Sequence, residues 1–470
     1  MRKKFVKVMR QHCHSDRREE SRTLEISRFA RNDKWQLVSV IWLAIALVGR
    51  HANAQDTLRL QDAIQQAVQN NYQIQIAKNN MQIARNNATL GNAGMLPRVT
   101  LGASYDFTNS NVQQRYASGE EVDRNNSQST AVGSGVALNW IFFDGFRMFA
   151  IYDQLKSYRD VGEYDLHDRV NNTVSDVING YYDVVRQQQF IQVTETSIDI
   201  AQQRLNISKA KYELGAAPRL DYTQSQIDLN NAQADLSEQQ LALEQAKIYL
   251  NRLMARTPET PLNISDTLHV DSTKALAFAE LRNQTLSNNP SLLRANEFVN
   301  VGESDVRIAL SGYFPQLSLN AGYNFNNANN STGLMLYNQS LGFNAGITAS
   351  FNLFNGFNQH RLVRNSRLSL FNYELQSKST LNDVESALLA AYRRFETKLG
   401  QLQLQEQSFA MARENMDVAL ERYRLGVINI LDLRQLQLAY DESGNAVVQA
   451  RYDAKLAEIE LQRLSAQLAQ

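Results

Sequence analysis

The sequence predicts a mostly α-helical chain that also carries transmembrane β-strands and is written as two internal repeats. Three observations predict it. First, short motifs recur in order. Residues 96–101 (LPRVTL) return as 314–319 (FPQLSL), and Phe143-Asp144-Gly145-Phe146 returns as Phe354-Asn355-Gly356-Phe357. Tyr212, Leu214, Gly215, Leu220 and Asp221 return as Tyr423, Leu425, Gly426, Leu431 and Asp432. The last two sets share an offset of 211 residues and the first has 218, which places a longer loop between the strands of the first copy. Second, residues 147–214 and 361–425 contain no proline and read as helices of roughly 100 Å each at 1.5 Å per residue. Third, each copy holds a pair of segments with period-two alternation of apolar residues, the pattern of a β-strand with two unlike faces.

The N-terminus reads as a targeting segment. An apolar run at 35–49 follows Arg28, Arg31 and Lys34 and precedes Ala52-Asn53-Ala54, as in a secretory signal peptide cut before Gln55. The run is short for a membrane span. Removing residues 1–54 takes away Cys13, the only cysteine, and leaves a net charge of −7. An exported chain without cysteine has no disulfides, so packing alone must hold it. No cysteine follows the cleavage site, so no lipid anchor is expected there.

Residues 55–270 form the first predicted repeat: a helix at 60–93, a strand pair within 98–143, the long helix 147–214 and a helix at 221–254. Residues 271–470 form the second: helices, a strand pair within 316–353, the long helix 361–425 and a helix at 430–468. Each helix of the shorter kind spans roughly 50 Å, so two stacked end to end match one long helix. In the first strand Val99, Leu101, Ala103, Tyr105 and Phe107 share a face, with Thr100, Gly102, Ser104 and Asp106 opposite. Its partner carries Val132, Val136, Leu138, Trp140 and Phe142 on one face. Leu317, Leu319, Ala321, Tyr323 and Phe325, then Leu341, Phe343, Ala345, Ile347 and Phe351, repeat the pattern. Runs of roughly 10–12 residues suit tilted membrane-spanning strands. The polar stretches 109–130 and 326–340 are expected as exterior loops. The clusters Trp140/Phe142/Phe143/Phe146 and Phe351/Phe354/Phe357 read as aromatics at the membrane interface rather than plain core.

Apolar residues on the long helices fall seven apart: Val177, Val184, Ile191, Ile198, Leu205 and Tyr212, then Leu388, Phe395, Leu402, Phe409, Met416 and Tyr423. The return helix adds Leu229, Leu236, Leu243 and Leu250. That period imposes left-handed coiled-coil packing. A second stripe, Gln188, Glu195, Gln202 and Lys209, is polar. A narrow apolar seam with a wide wet face suits a wall with solvent on both sides. Four strands cannot close a barrel, and two copies would give an eight-stranded one filled by side chains. Three copies give twelve strands, the smallest such assembly with an open lumen.

Chemistry is not indicated. His167, His269 and His360 are isolated, and no nucleophile–base set, phosphate loop or carboxylate dyad lies in a pocket-forming context. No enzyme, cofactor or metal ion is expected, and the lack of a basic face argues against nucleic acid. Asp144 and Asn355 read as caps of the long helices, with Gly145 and Gly356 turning the strand into them. Asp221 and Asp432 each follow a glycine turn in the first turn of a helix. They gain from the positive dipole end there, or, in a three-fold assembly, form a six-carboxylate ring that attracts cations. Spacing alone favours the dipole explanation.

The tips carry the closest resemblance. Lys211 to Gly215 (KYELG) followed by Leu220-Asp221, and Arg422 to Gly426 (RYRLG) followed by 430–433 (ILDL), resemble the helix tips of TolC-like outer membrane efflux proteins. Residues 140–145 (WIFFDG) and 351–356 (FNLFNG) resemble the same family's strand-to-helix elements. The resemblance covers the chain from about residue 60 onward. It implies a homotrimer in the outer membrane of a Gram-negative cell, with a 12-stranded β-barrel continued across the periplasm by an α-helical coiled-coil barrel. It also implies a mixed belt at mid-height, built partly from 257–274 and the C-terminal end. The implied role is a passive exit duct for small molecules such as drugs or metals. The implied partners are a periplasmic adaptor protein, an inner-membrane transporter of the RND or ABC type, and outer membrane lipid. Tyr212, Leu214, Gly215, Tyr423, Leu425 and Gly426 would then dock the adaptor, and Asp221, Asp432 and Gln435 would line the periplasmic aperture. Two positions depart from the family pattern. Gln435 stands where some members have a second Asp, and Ile428 where some have a basic residue that locks neighbouring copies. A secretion duct for polypeptides is an alternative of the same class. A structural outer-membrane coiled coil is a third reading, which explains the heptads but not the duplicated strand pairs.

Overall fold

The computed structural model describes residues 57–270 and 277–468. The expected signal peptide, residues 1–54, lies outside the described residues, as do 271–274 of the expected belt segment. In chain order the elements are α1 (Leu60–Asn70), α2 (Tyr72–Asn87), β1 (Arg98–Arg115), β2 (Glu121–Phe143), α3 (Arg147–Glu213) and α4 (Arg219–Leu253). Then follow α5 (Phe278–Asn288), α6 (Pro290–Ser311), β3 (Gln316–Asn330), β4 (Tyr337–Ser350), α7 (Asn358–Arg424) and α8 (Ile430–Leu464).

The four strands form one antiparallel sheet in the order β1-β2-β3-β4. The apolar side chains of β1 and β4 are exposed, and among the described residues no helix packs extensively on the sheet. The strands are longer than expected, with 18, 23, 15 and 14 residues. The stretch 109–130 is mostly ladder rather than loop: β1 and β2 stay paired as far as Arg115↔Glu121, past a bulge between Ser110 and Val112. Alternation disappears there because both faces are polar, yet backbone pairing needs no apolar face. Likewise 326–340 contracts to a turn at 331–336.

Both long helices have 67 residues, about 100 Å at helical rise. Phe146 and Phe357, with φ of 66° and 61°, and Gly145 and Gly356, with φ of 69° and 67°, turn the chain from strand to helix. Asp144 then accepts the Met148 N–H at 2.9 Å, and Asn355 accepts that of Gln359 at 3.3 Å, so both act as expected caps. Gly145 also has no room for a side chain: a Cβ would stand 2.6 Å from the Ser311 carbonyl oxygen.

The expected helix 60–93 is two helices. Asn71 breaks it with an extended backbone and caps α2 by accepting the Gln73 N–H at 2.9 Å. The same side chain donates to the Leu253 carbonyl at the end of α4, at 2.8 Å. Asn289 does both in the second half, capping α6 and donating to the Leu464 carbonyl at 3.0 Å. The half-length rods are therefore joined end to end by one asparagine in each half.

The main core sits at mid-height. Ala63, Ala67, Val177, Val184, Leu250 and Met254 pack together with Leu262, Ile264 and Leu268 of an extended segment. Tyr181 is buried among them and donates to Asp266 at 2.5 Å, with the Leu58 carbonyl 3.1 Å from the same hydroxyl. Burial and Asp266 together push its phenol well above the usual range. A second cluster joins α7 to α8 through Leu388, Phe395, Leu461 and Leu464. Most heptad rungs are buried or half-buried, but Tyr212 is exposed.

Candidate functional site at the helix tips

The ends of the two helical hairpins, α3–α4 and α7–α8, have the same backbone. After Leu214 and Leu425, Gly215 (φ 74°) and Gly426 (φ 77°) take the left-handed conformation. The following N–H groups reach back five residues, Ala216 to Lys211 at 2.8 Å and Val427 to Arg422 at 2.9 Å. These bonds satisfy carbonyls that a helix end otherwise leaves without partners. Leu214 and Leu425 then project into solvent, 82% and 75% exposed, beside exposed Leu220, Val427 and Leu431.

Asp221 and Asp432 both occupy the third position of their helices. Neither carboxylate accepts a hydrogen bond or ion pair among the described residues. The backbone N–H of Asp432 is capped by Asn429 at 2.9 Å, whereas α4 follows Pro218 with no side-chain cap. The two aspartates are therefore available carboxylates at the tip end, helped by the dipole but not used as caps. Gln435 is exposed one turn further along α8.

The paired tyrosines differ. Tyr212 is 41% exposed and stacks on Tyr222, with ring centroids 6.1 Å apart. Tyr423 is 3% exposed and packs with Met416, Ala419 and Leu433. Lys211 donates to its carbonyl at 2.6 Å and lies 4.0 Å over its ring. Burial raises the Tyr423 phenol, Asp221 adds to the rise, and Arg204 opposes it.

Above the tips lies a polar cluster that the heptad reading missed. Arg204 on α3, 2% exposed, pairs with Asp228 on α4 at 2.6 Å. Arg434 on α8 approaches the same carboxylate at 3.5 Å. Ser197 on α3 donates to Asp441 on α8 at 2.9 Å. Burial lowers Arg204, with Asp228 countering. Burial also pushes Asp441 up to about 6, against the Ser197 bond and the Arg204 charge. One signal was present in the sequence: Arg204 and Asp228 each sit one residue before a matched rung, Leu205 and Leu229.

The expected interface aromatics gather where the sheet meets the helices. Trp140, Phe142 and Phe143 end β2, and Phe351 and Phe354 lie just past β4. Trp140 Nε1 donates to the Met95 carbonyl at 3.0 Å. Phe143 meets Phe146, and Phe354 meets Phe357, edge to face at 5.4 Å in both copies. No helix among the described residues is long and apolar enough to cross a membrane.

The family model described as "Outer membrane efflux protein" matches residues 63–256 and 281–467. The chain is 24% identical to the pyoverdine export outer membrane protein OpmQ of Pseudomonas aeruginosa over 83% of this chain and 81% of that one. It is 21% identical to the outer membrane protein TolC of Vibrio cholerae over 89% and 93%. Among solved structures, the Campylobacter jejuni CmeC outer membrane channel superposes with a TM-score of 0.71 at 16% identity, covering 94% of each chain.

Proposed function

Since the chain belongs to the outer membrane efflux protein family, an outer membrane channel family and not one of enzymes, we propose that three copies form a passive exit duct for small molecules, powered by an inner-membrane transporter. One observation carries the reading. The sheet ends in two unpaired edges, β1 and β4, of 18 and 14 residues, with apolar residues exposed along both. Long bare edges are rows of unsatisfied N–H and C=O groups, which a membrane does not tolerate. Pairing β4 of one copy with β1 of the next removes every edge, and three copies close a twelve-stranded barrel with room for a lumen. Trp140, Phe142, Phe143, Phe351 and Phe354 then ring the periplasmic rim of the barrel.

The long helices, continuous with the strands through the glycine–phenylalanine turns, carry the duct into the periplasm. Their exposed leucines, Leu214 and Leu425, form with Gly215 and Gly426 the surface that a periplasmic adaptor grips. Tyr212 lies open on that surface, while Tyr423 supports it from beneath. Asp221 and Asp432 from three copies place six carboxylates at the entrance, where they raise the local cation concentration. Gln435 adds no charge, so selectivity rests on those two positions. Reversal potentials across a salt gradient test the entrance. Asp221→Asn with Asp432→Asn should lower cation preference with little loss of melting temperature. Unchanged selectivity would remove these residues from the aperture.

A further inference from the structure

We propose that the first turns of α7 bind the phosphate groups of anionic phospholipids in the periplasmic leaflet of the outer membrane. The proposal rests on the sheet lying in that membrane. Arg361, Arg364 and Arg367, with His360, follow within ten residues of the exposed Phe357 and within fourteen of the exposed Leu353 and Phe354. All four are exposed, and no carboxylate occurs between residues 351 and 373. None of the three guanidiniums forms an ion pair among the described residues.

The first copy shows that the fold does not require this charge. The positions 211 earlier hold Phe149, Ala150, Asp153 and Lys156. There the charges are mutually neutralised: Asp153 pairs with Lys156 at 2.7 Å and with Arg307 at 2.8 Å. Helix stability does not account for the arginines either, because the start of a helix favours acids over bases.

Height matches headgroups. The arginines lie about 4 to 14 Å down α7 from its first residue, and the polar zone of one leaflet is about 5–8 Å thick below the hydrocarbon. An arginine stem spans the remaining distance by lying along apolar surface with its head toward the phosphates. Val363, Ser366, Leu370 and Tyr373 form the more buried side of α7, against α6; Arg361 and Arg364 stand away from it, and Arg367 is exposed at its flank. The guanidinium fork suits phosphate, and the phenylalanines just above suit the ester level. Acids at the same height are mostly committed: Asp153 as above, Asp160 to Arg159, and Asp305 to Gln154. Glu303 is the exposed exception.

Delipidated full-length protein in a neutral detergent, titrated with phosphatidylglycerol or phosphatidylcholine and read by native mass spectrometry, tests this. Phosphatidylglycerol should be retained in preference, and millimolar inorganic phosphate should not displace it. Changing all three arginines to Gln (R361Q, R364Q, R367Q) should weaken phosphatidylglycerol binding on the order of a hundredfold, about fivefold per arginine at a charged lipid surface. Phosphatidylcholine binding should not change, and the three Arg→Lys substitutions should restore most of the loss. Equal retention of the two lipids, full displacement by phosphate, or unchanged binding by the Gln variant overturns the proposal. It is also overturned if Glu303→Gln and the Gln variant lower the lipid-free melting temperature equally, since the arginines then pair with Glu303 of a second copy. Membrane fractionation separates the two readings. Recovery of the wild type outside the outer membrane refutes the placement, whereas correct placement without lipid preference refutes the site alone.

Discussion

The two tips share a turn and differ in almost everything around it. Their glycines, backbone bonds and projecting leucines correspond, because five residues of local sequence suffice for that turn. Their tyrosines part company: Tyr212 lies open while Tyr423 is buried beneath Lys211. The cause is tertiary. Helix α3 packs against both α4 and α8, so the second tip leans on the first through Ser197, Lys211 and the approach of Arg434 to Asp228. Nothing described leans on the outer side of the first. Local sequence thus sets the turn, and neighbouring helices decide which tip is the anchored one.

The largest expected effect is at the buried ion pair of the first hairpin. Arg204→Ala leaves Asp228 half-buried and poorly paired, and should cost about 3–5 kcal/mol in denaturant unfolding of the purified protein. A cost below about 0.5 kcal/mol, the range of ordinary surface changes, would show that this pair does not hold the first hairpin together. Next, Tyr423→Ala should cost about 3 kcal/mol or more, as large aromatic truncations in a core do. Tyr212→Ala should cost about 1 kcal/mol or less. Equal losses would erase the difference between the tips.

A smaller effect is carried by pH. Asp441 titrates at about 6 in the fold against 3.8 for the ordinary group. Between those values the folded chain holds a proton that the unfolded chain has released. Stability should therefore be greatest below the ordinary value and fall as pH rises through the folded one. Asp441→Asn should flatten that fall in melting temperature, and a variant that keeps the wild-type slope would assign it to another group. The smallest effect is at the helix start: Asn429→Ala should cost about 1 kcal/mol by uncapping α8, readable as a small shift in the same melt.

Much of this architecture was legible in the sequence, for particular reasons. The long helices were, because a seven-residue apolar period sustained over about ten turns imposes helix-on-helix packing. The asparagine or aspartate before each glycine was, because capping needs only local chemistry. The break at Asn71 was not: its cause is the distant Leu253 carbonyl, which no local pattern announces. The β1–β2 extension was missed because alternation signals an apolar face, and a ladder polar on both faces has none. Arg204 and Asp441 were missed because a polar residue beside a heptad rung looks solvated until a third helix covers it.

On this reading, copies of the chain enclose a continuous aqueous duct. Single-channel recording of the purified protein in a planar bilayer tests it most directly. Discrete, long-lived conductance steps are expected from the assembled protein, with a cation-selective reversal potential in a salt gradient that Asp221→Asn with Asp432→Asn reduces. Protein that inserts as an intact assembly and passes no current under any salt or voltage would contradict it.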